Sequence, residues 1–408
     1  MKLLYITNGF PYPLTSGYLR HYFLLRGLAA HHDITLLSMV GADHRREHRD
    51  AVADLGVTVR VFPRSGGLGR RIGRLTPGPP LGGVAALARA ARGAIGAGAA
   101  DAVVLSGKET AAALPLLRGA PLLVDLCDAT SSRFRAEMEH AAGRDRLRLG
   151  LQWAAMRRTE RRLRQRADRA MVASERDRLL LGWPVEHCTV VPNGVDTDYW
   201  RRASSRLGEA TIIFTGKLDY RPNEDAALRL VEDVLPMVRR RRPATRLLLV
   251  GRSPTERLRR AALAPGVELT GDVPDMRPYL EQASVLVAPL RFGAGIQNKV
   301  LEAMSMEVPV VCTENAAAGV RRGLEPLPLD VAAEPAGLAE AAIRALHRVD
   351  LDARPDERAR RYVQAHFRWP VAVAAMDSML RRLTDGPARS QERIGAPAAV
   401  PCGEVDVR

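Results

Sequence analysis

Short apolar runs of strand type recur at Lys2 to Thr7, Ile34 to Met39, Val57 to Phe62, Ala102 to Leu105 and Pro121 to Leu126. They recur again at Thr211 to Thr215, Leu247 to Val250 and Val285 to Ala288. Runs that stay apolar without alternation suit strands covered on both faces, as in parallel sheets. Between them the period lengthens to that of helices. Leu19 to Ala30 is helical with Gly27 as its weak point, and Arg144 to Arg166 is a long helix expected to turn Leu147, Leu151, Ala155 and Leu163 inward. Asp225 to Arg242 forms a further helix, and Arg354 to Leu383, with Trp369 and Pro370 inside it, reads as two. Strand and helix alternate twice over. This predicts an α/β chain of two facing Rossmann-like, doubly wound parallel-sheet domains with a cleft between them. The boundaries drawn are 1–195 for the first domain, 196–210 for a linker and 211–353 for the second domain. Residues 354–385 form the closing helices, and 386–408, rich in Gly, Ala, Pro and Arg without apolar period, are expected to be disordered.

The most informative stretch is SVLVAPLRFGAGIQNKVLEAMSM, Ser284 to Met306: a strand, a glycine loop and an amphipathic helix expected to open near Ile296. Gly293, Ala294 and Gly295 let backbone N–H groups approach a ligand, and the helix start adds free N–H groups and a positive dipole end. That combination makes an anion site. Lys299 and Glu302 share one helix face, so a cation for phosphates and a carboxylate for ribose hydroxyls would stand beside it. Spacing alone equally permits a surface ion pair after an ordinary loop. Residue usage favours chemistry, because the chain has only four lysines, Lys2, Lys108, Lys217 and Lys299, among its 61 basic residues. It has only five asparagines, Asn8, Asn193, Asn223, Asn298 and Asn315. Asn298 and Lys299 are adjacent, and Lys217 and Asn223 share another segment.

GIQNKVLEAM, Gly295 to Met304, followed by VPVVCT, Val308 to Thr313, resembles the donor-site signature of the family 4 retaining glycosyltransferases of GT-B fold. TGKLDYRPNEDAA from Thr215, LTGDVPDMRPYLEQASVLVAPL from Leu269 and VPNGVDTDYW from Val191 agree with it in the same order. The resemblance implies a metal-independent enzyme that moves a sugar from a nucleotide diphosphate donor, a UDP- or GDP-sugar, to an acceptor with retention of anomeric configuration. The setting would be glycan or specialised-metabolite biosynthesis, with no cofactor beyond the donor. It makes the first domain acceptor-binding and the second donor-binding, with the last of the closing helices in 354–385 crossing back to the first domain. Lys217 and Arg221 match the family's paired diphosphate contacts, with Lys299 on the same leaving group and Glu302 on ribose. Backbone at Gly271 to Val273 would read the base, and Arg291, Gly293, Ala294, Gly295 and Ile296 would line the donor. Gly17 resembles the glycine that lets acceptor or phosphate approach the first strand-to-helix loop.

Two departures stand out. Much of the family has a second glutamate where this chain has Ala294, and many members have a donor-contacting histidine near VDLCDATSSRF, where this chain has none. Asp128 in that segment is the candidate for orienting a sugar or acceptor hydroxyl, the alternative being a helix cap. Two other readings remain: a nucleotide-sugar epimerase of the same fold, and a basic membrane-surface scaffold with a dead donor site.

Other motifs carry less. His44 and His48 in HRREH have zinc-hydrolase spacing but charged neighbours, and Gly67, Gly69 and Gly73 fit a dinucleotide fingerprint poorly. Asp196 and Asp198 form a DxD at a Pro-Asn-Gly turn, and Ser174 with Asp177 reads as a capping box. No metal site is expected. A net charge of +15 invites nucleic acid, yet aromatics are 5% and do not interleave with the arginines, so nucleic acid is excluded as partner. An anionic membrane or an acidic acceptor, such as a lipid-linked glycan or small molecule, fits the charge better. No run is long and apolar enough for a membrane span, and the first residues break after strand length, unlike a signal peptide. A cytoplasmic protein is expected, in peripheral contact with the inner membrane face. Cys127, Cys188, Cys312 and Cys402 form no CxxC pair and read as reduced thiols.

Overall fold

A computed structural model describes residues 1–14, 18–64 and 82–385. Gly17, the glycines at 67, 69 and 73, Cys402 and the tail from Gly386 lie outside the described residues.

The first sheet has seven strands: β1 (Lys2–Thr7), β2 (Asp33–Val40), β3 (Thr58–Pro63), β4 (Ala102–Ser106), β5 (Leu122–Cys127), β6 (Arg169–Val172) and β7 (Cys188–Val190). They are parallel, in the order β3-β2-β1-β4-β5-β6-β7. Successive side chains of β1 point to opposite faces. Leu3 and Tyr5 join one apolar cluster while Leu4 and Ile6 join another, so an unbroken apolar run supplies two cores. Helices α1 (Leu19–Leu28), α2 (Arg46–Ala53), α3 (Gly83–Gly96), α4 (Thr130–Glu139), α5 (Gly143–Arg166) and α6 (Glu175–Leu181) surround this sheet.

The second sheet has β8 (Thr211–Thr215), β9 (Arg246–Val250), β10 (Val267–Gly271), β11 (Val285–Ala288), β12 (Val310–Cys312) and β13 (Asp330–Val331), all parallel, in the order β10-β9-β8-β11-β12-β13. Its helices are α7 (Arg221–Arg229), α8 (Leu235–Arg241), α9 (Glu256–Ala261), α10 (Arg277–Glu281), α11 (Asn298–Ser305), α12 (Glu314–Ala317), α13 (Pro335–Leu351) and α14 (Glu357–His366), and α15 (Trp369–Asp385) follows them. Two doubly wound parallel sheets facing each other are the GT-B architecture. Strand order reverses between β1 and β4 and again between β8 and β11, and such switch points open the crevices in which α/β folds bind ligands.

Three details differ from the sequence reading. Five short strands, β6, β7, β10, β12 and β13, escape it, being two to five residues long and specified by their neighbours. The expected helix 225–242 is α7 and α8 joined by a π turn at Leu230–Val234, just before Pro236, which has no N–H to continue the ladder. Leu147 and Leu151 of α5 point outward, with exposures of 69% and 64%. Leu163 is buried as expected, but the helix buries Leu149 and Glu160 with it, because Glu160 serves partners beneath it: its carboxylate accepts the Ser131 N–H and pairs with Lys108.

The last helix returns to the first domain. Trp369 stacks on Phe23 of α1 with ring centroids 4.6 Å apart, Val373 lies over Gly27, and His32 meets Asp377 at 2.6 Å. Among the described residues no helix is long and apolar enough to cross a membrane.

Candidate active site

The loops after β8 and β11 flank the second switch point. Gly216, the first residue after β8, has φ +151°, and a Cβ there would stand 2.8 Å from the Asn223 amide nitrogen and 3.3 Å from Lys299 Nζ. Glycine at this place lets Asn223 and Lys299 close in against the backbone. The helix after the glycine loop opens at Asn298, with Gln297 as its cap, two residues later than expected. Lys299 therefore sits in the first turn, buried against the domain core with 7% exposure. Its ammonium donates to Asn223 Oδ1 and lies 4.6 Å from the centre of the Phe214 ring. Burial pushes its pKa down to about 7, partly opposed by Glu302. Glu302 is half-buried, and burial pushes its pKa up to about 7 against the effect of Lys299. Among the described residues no carboxylate lies within ion-pair distance of the Lys299 ammonium, so the site holds a poorly solvated cation without a counter-ion.

Lys217 and Arg221 are less buried. Lys217 pairs with Asp219 at 3.2 Å, and Arg221 reaches toward Glu137 of α4 in the other domain at 3.9 Å. Arg291 is held by Asp225 through Nε and one terminal nitrogen, an edge-on pair that fixes the guanidinium while its other terminal nitrogen makes no bond to Asp225. Gly271, φ +73°, faces open space, and Val273 packs on the core. Ile296 is buried in that core as well, while Ala294 is half-buried. A Cβ on Gly293 would stand 3.2 Å from the Asn315 amide nitrogen.

From the first domain, Asp128 comes to the glycine loop: a Cβ on Gly295, φ +71°, would stand 3.3 Å from the Asp128 Cβ. Lys108 Nζ donates to the Asp128 carbonyl at 2.6 Å and to its Oδ1 at 3.0 Å, and Thr130 donates to the same carboxylate. Burial alone would raise the pKa of Asp128, but Lys108 and the Thr130 hydroxyl outweigh it and hold the carboxyl below its ordinary value. Asp128 is thus kept ionised beside the loop.

Sequence reasoning missed the residues that join the two faces. Asp177 does more than cap α6: its Oδ1 accepts the Ala129 N–H at 2.9 Å and, from the other domain, the Gly295 N–H at 3.3 Å. Arg176 donates to Asn315 Oδ1 at 2.7 Å. Arg20, buried on Asp125 at 3.0 Å, donates to Asn193 Oδ1, and Asn193 donates on to Asn298 Oδ1, both at 3.0 Å. The scarcity of asparagine was the available signal, since Asn193, Asn223, Asn298 and Asn315 all bond beside the cleft. Lys108, one of the four lysines, carried the same signal.

Other candidates have structural employment. His44 packs against Phe10 with the rings tilted by 58°, and His48 Nδ1 accepts the Arg45 N–H. Asp196 Oδ1 accepts the N–H groups of Asp198 and Tyr199, forming an Asx turn. His21, Asp125 and Cys127 bring ligand-type atoms within 4.8 Å of one another, but the Arg20 guanidinium already occupies Asp125, which disfavours a cation.

Comparison with known proteins bears on the fold and on the sequence of the second domain. Residues 209–348 match the family described as "Glycosyl transferases group 1". The phosphatidyl-myo-inositol mannosyltransferase of Mycobacterium tuberculosis is 33% identical over 133 residues, 30% of this chain and 34% of that protein. The chain thus spans about a third of the length of the curated relatives it matches. By structure it resembles Anabaena Alr3699/HepE, solved in complex with UDP and glucose, with a TM-score of 0.66 at 15% identity over 93% of this chain and 99% of that one. It also resembles sucrose-phosphate synthase from Thermosynechococcus elongatus, with a TM-score of 0.64 at 16% identity over 94% and 99%. The described chain therefore has the GT-B fold from end to end, and residues 209–348 carry the sequence pattern of group 1 glycosyl transferases.

Proposed function

We propose that this chain is a retaining glycosyltransferase that moves a sugar from a nucleotide diphosphate donor, a UDP- or GDP-sugar, to an acceptor hydroxyl, without a metal. The observation that carries the proposal is the buried, unpaired Lys299 ammonium in the first turn of the helix behind the glycine loop. A leaving diphosphate is the counter-ion such a site lacks. As the sugar departs, negative charge grows on the diphosphate. Lys299, the free N–H groups at the start of α11, and Lys217 and Arg221 from the loop after β8 would stabilise it there. Glu302 on the next turn would accept from ribose hydroxyls. The leaving group itself would take the acceptor proton on the same face, so no protein nucleophile is needed, and Asp128 would orient the incoming hydroxyl.

The test is product analysis after incubation with a panel of UDP- and GDP-sugars and with sugar, lipid-linked and small-molecule acceptors. Free nucleoside diphosphate and a glycoside of unchanged anomeric configuration are expected, with turnover surviving excess EDTA. An epimerised donor instead would make the protein an epimerase, and loss of activity restored by manganese would overturn metal independence.

A further inference from the structure

The outward stripe of α5 stands apart from the cleft. Positions 144, 147, 148, 151, 155, 158 and 162 fall within one side of a 3.6-residue helix, opposite the buried Leu149, Glu160 and Leu163. The stripe carries Leu147 and Leu151, 69% and 64% exposed, and exposed arginines at 144, 148, 158 and 162. No acidic side chain lies on it, and the whole helix has nine arginines against Asp145 and Glu160. Leucines left in water between arginines are costly in a soluble helix unless something apolar and anionic covers them.

We propose that this stripe is a docking surface for an anionic lipid bilayer. Leu147 and Leu151 would enter the boundary between headgroups and acyl chains while the flanking guanidiniums contact lipid phosphates, the arrangement of an interfacial amphipathic helix. The geometry gives the contact a consequence. On the opposite face Glu160 holds the Ser131 N–H and Lys108, and Lys108 holds Asp128, so the cleft lies beyond the far side of the helix, more than one helix diameter, roughly 10 Å, from the membrane plane. An acceptor carried by a lipid would then arrive at the Asp128 side of the site. Docking itself does not depend on the transfer reaction.

The experiment is co-sedimentation of the full chain with vesicles of phosphatidylcholine containing a rising fraction of phosphatidylglycerol. Binding is expected to rise with the anionic fraction and to fall with salt. Leu147→Gln with Leu151→Gln should lower partitioning by on the order of tenfold or more. Arg144→Gln with Arg158→Gln should lower it by roughly fivefold per residue. Leu263→Gln, at a still more exposed leucine on the other domain, should change nothing. Circular dichroism and melting temperature should be unaltered in every variant. Binding by the leucine double variant as tight as that of the parent would show adsorption by scattered charge and overturn the proposal. So would indifference to phosphatidylglycerol. Full competition by soluble polyglutamate, with the leucine variant undiminished, would assign the stripe to an acidic protein instead.

Discussion

An ammonium packed over an aromatic ring and tied to one amide oxygen is fixed in position but badly solvated, and Lys299 is held this way before any ligand arrives. Its usefulness should therefore grow as charge develops on the leaving group. Lys299→Ala should lower kcat by roughly 10²- to 10³-fold, as does removal of a typical oxyanion donor, and should affect donor KM less. Lys299→Arg should recover part, since a planar fork replaces a point charge. Steady-state kinetics decides this, and a raised KM with unchanged kcat would reduce Lys299 to a binding residue. The depressed pKa adds a pH signature. Below about pH 7 the free site already carries the ammonium, and above it the free site loses the proton that a diphosphate favours. Donor affinity should then fall as pH rises past about 7, by up to roughly tenfold per pH unit. Titration calorimetry from pH 5 to 9 measures it, and a flat profile would rule it out; in a Glu302→Gln background, which removes the charge that partly opposes the lowering, the fall should begin at lower pH. This residue was legible in the sequence because lysine is scarce in the chain and because the glycine loop precedes it. Asp177 was not, because its place three residues after the capping Ser174 explains it locally and nothing in nearby sequence shows a second domain within reach.

Among the elements, the short helix α6 does the joining. Its first turn sends Asp177 to the glycine loop and Arg176 to Asn315 at the start of α12, so one element of the first domain touches two ligand-facing segments of the second. The Asp177 carboxylate receives N–H groups from both sides and thereby sets how near Asp128 comes to Gly295. Asp177→Ala would strand the buried Ala129 N–H at a cost of about 1 to 3 kcal/mol. A lowered melting temperature and a fall in kcat larger than any change in donor KM are expected, with Asp177→Asn recovering much of both. Unchanged turnover in the alanine variant would confine Asp177 to capping. Element by element, strands such as β1, β4 and β11 were readable because burial on both faces leaves an unbroken apolar run. β12 and β13 were not, since two or three residues hold no period. The facing of α5 was misread for a related reason: leucine spacing pointed one way, and the polar partners of Glu160 turned the helix the other.

At the scale of the molecule, the last described helix packs on the domain of the first strand. Trp369 is 6% exposed, stacked on Phe23, and so close to Gly194 that a Cβ there would strike it. Trp369→Ala should cost about 3 to 5 kcal/mol, seen as a lower midpoint in urea, and the loss should fall on the first sheet although the residue follows the second. Midpoints unchanged by the substitution would mean that α15 only rests on α1. Two alternating β/α series were visible in the sequence, but the return of α15 was implied there by family resemblance alone, because a long-range contact leaves no local trace. That return also has a meaning in time. His32 and Asp377, which bond across it, are 345 positions apart. At about 5 to 20 residues per second of synthesis, the apolar side of α1 waits on the order of 20 to 70 s for its cover. During that interval the nascent first domain exposes Phe23 and the surface at Gly27 to whatever else is sticky nearby, and covering them depends on the ribosome reaching α15.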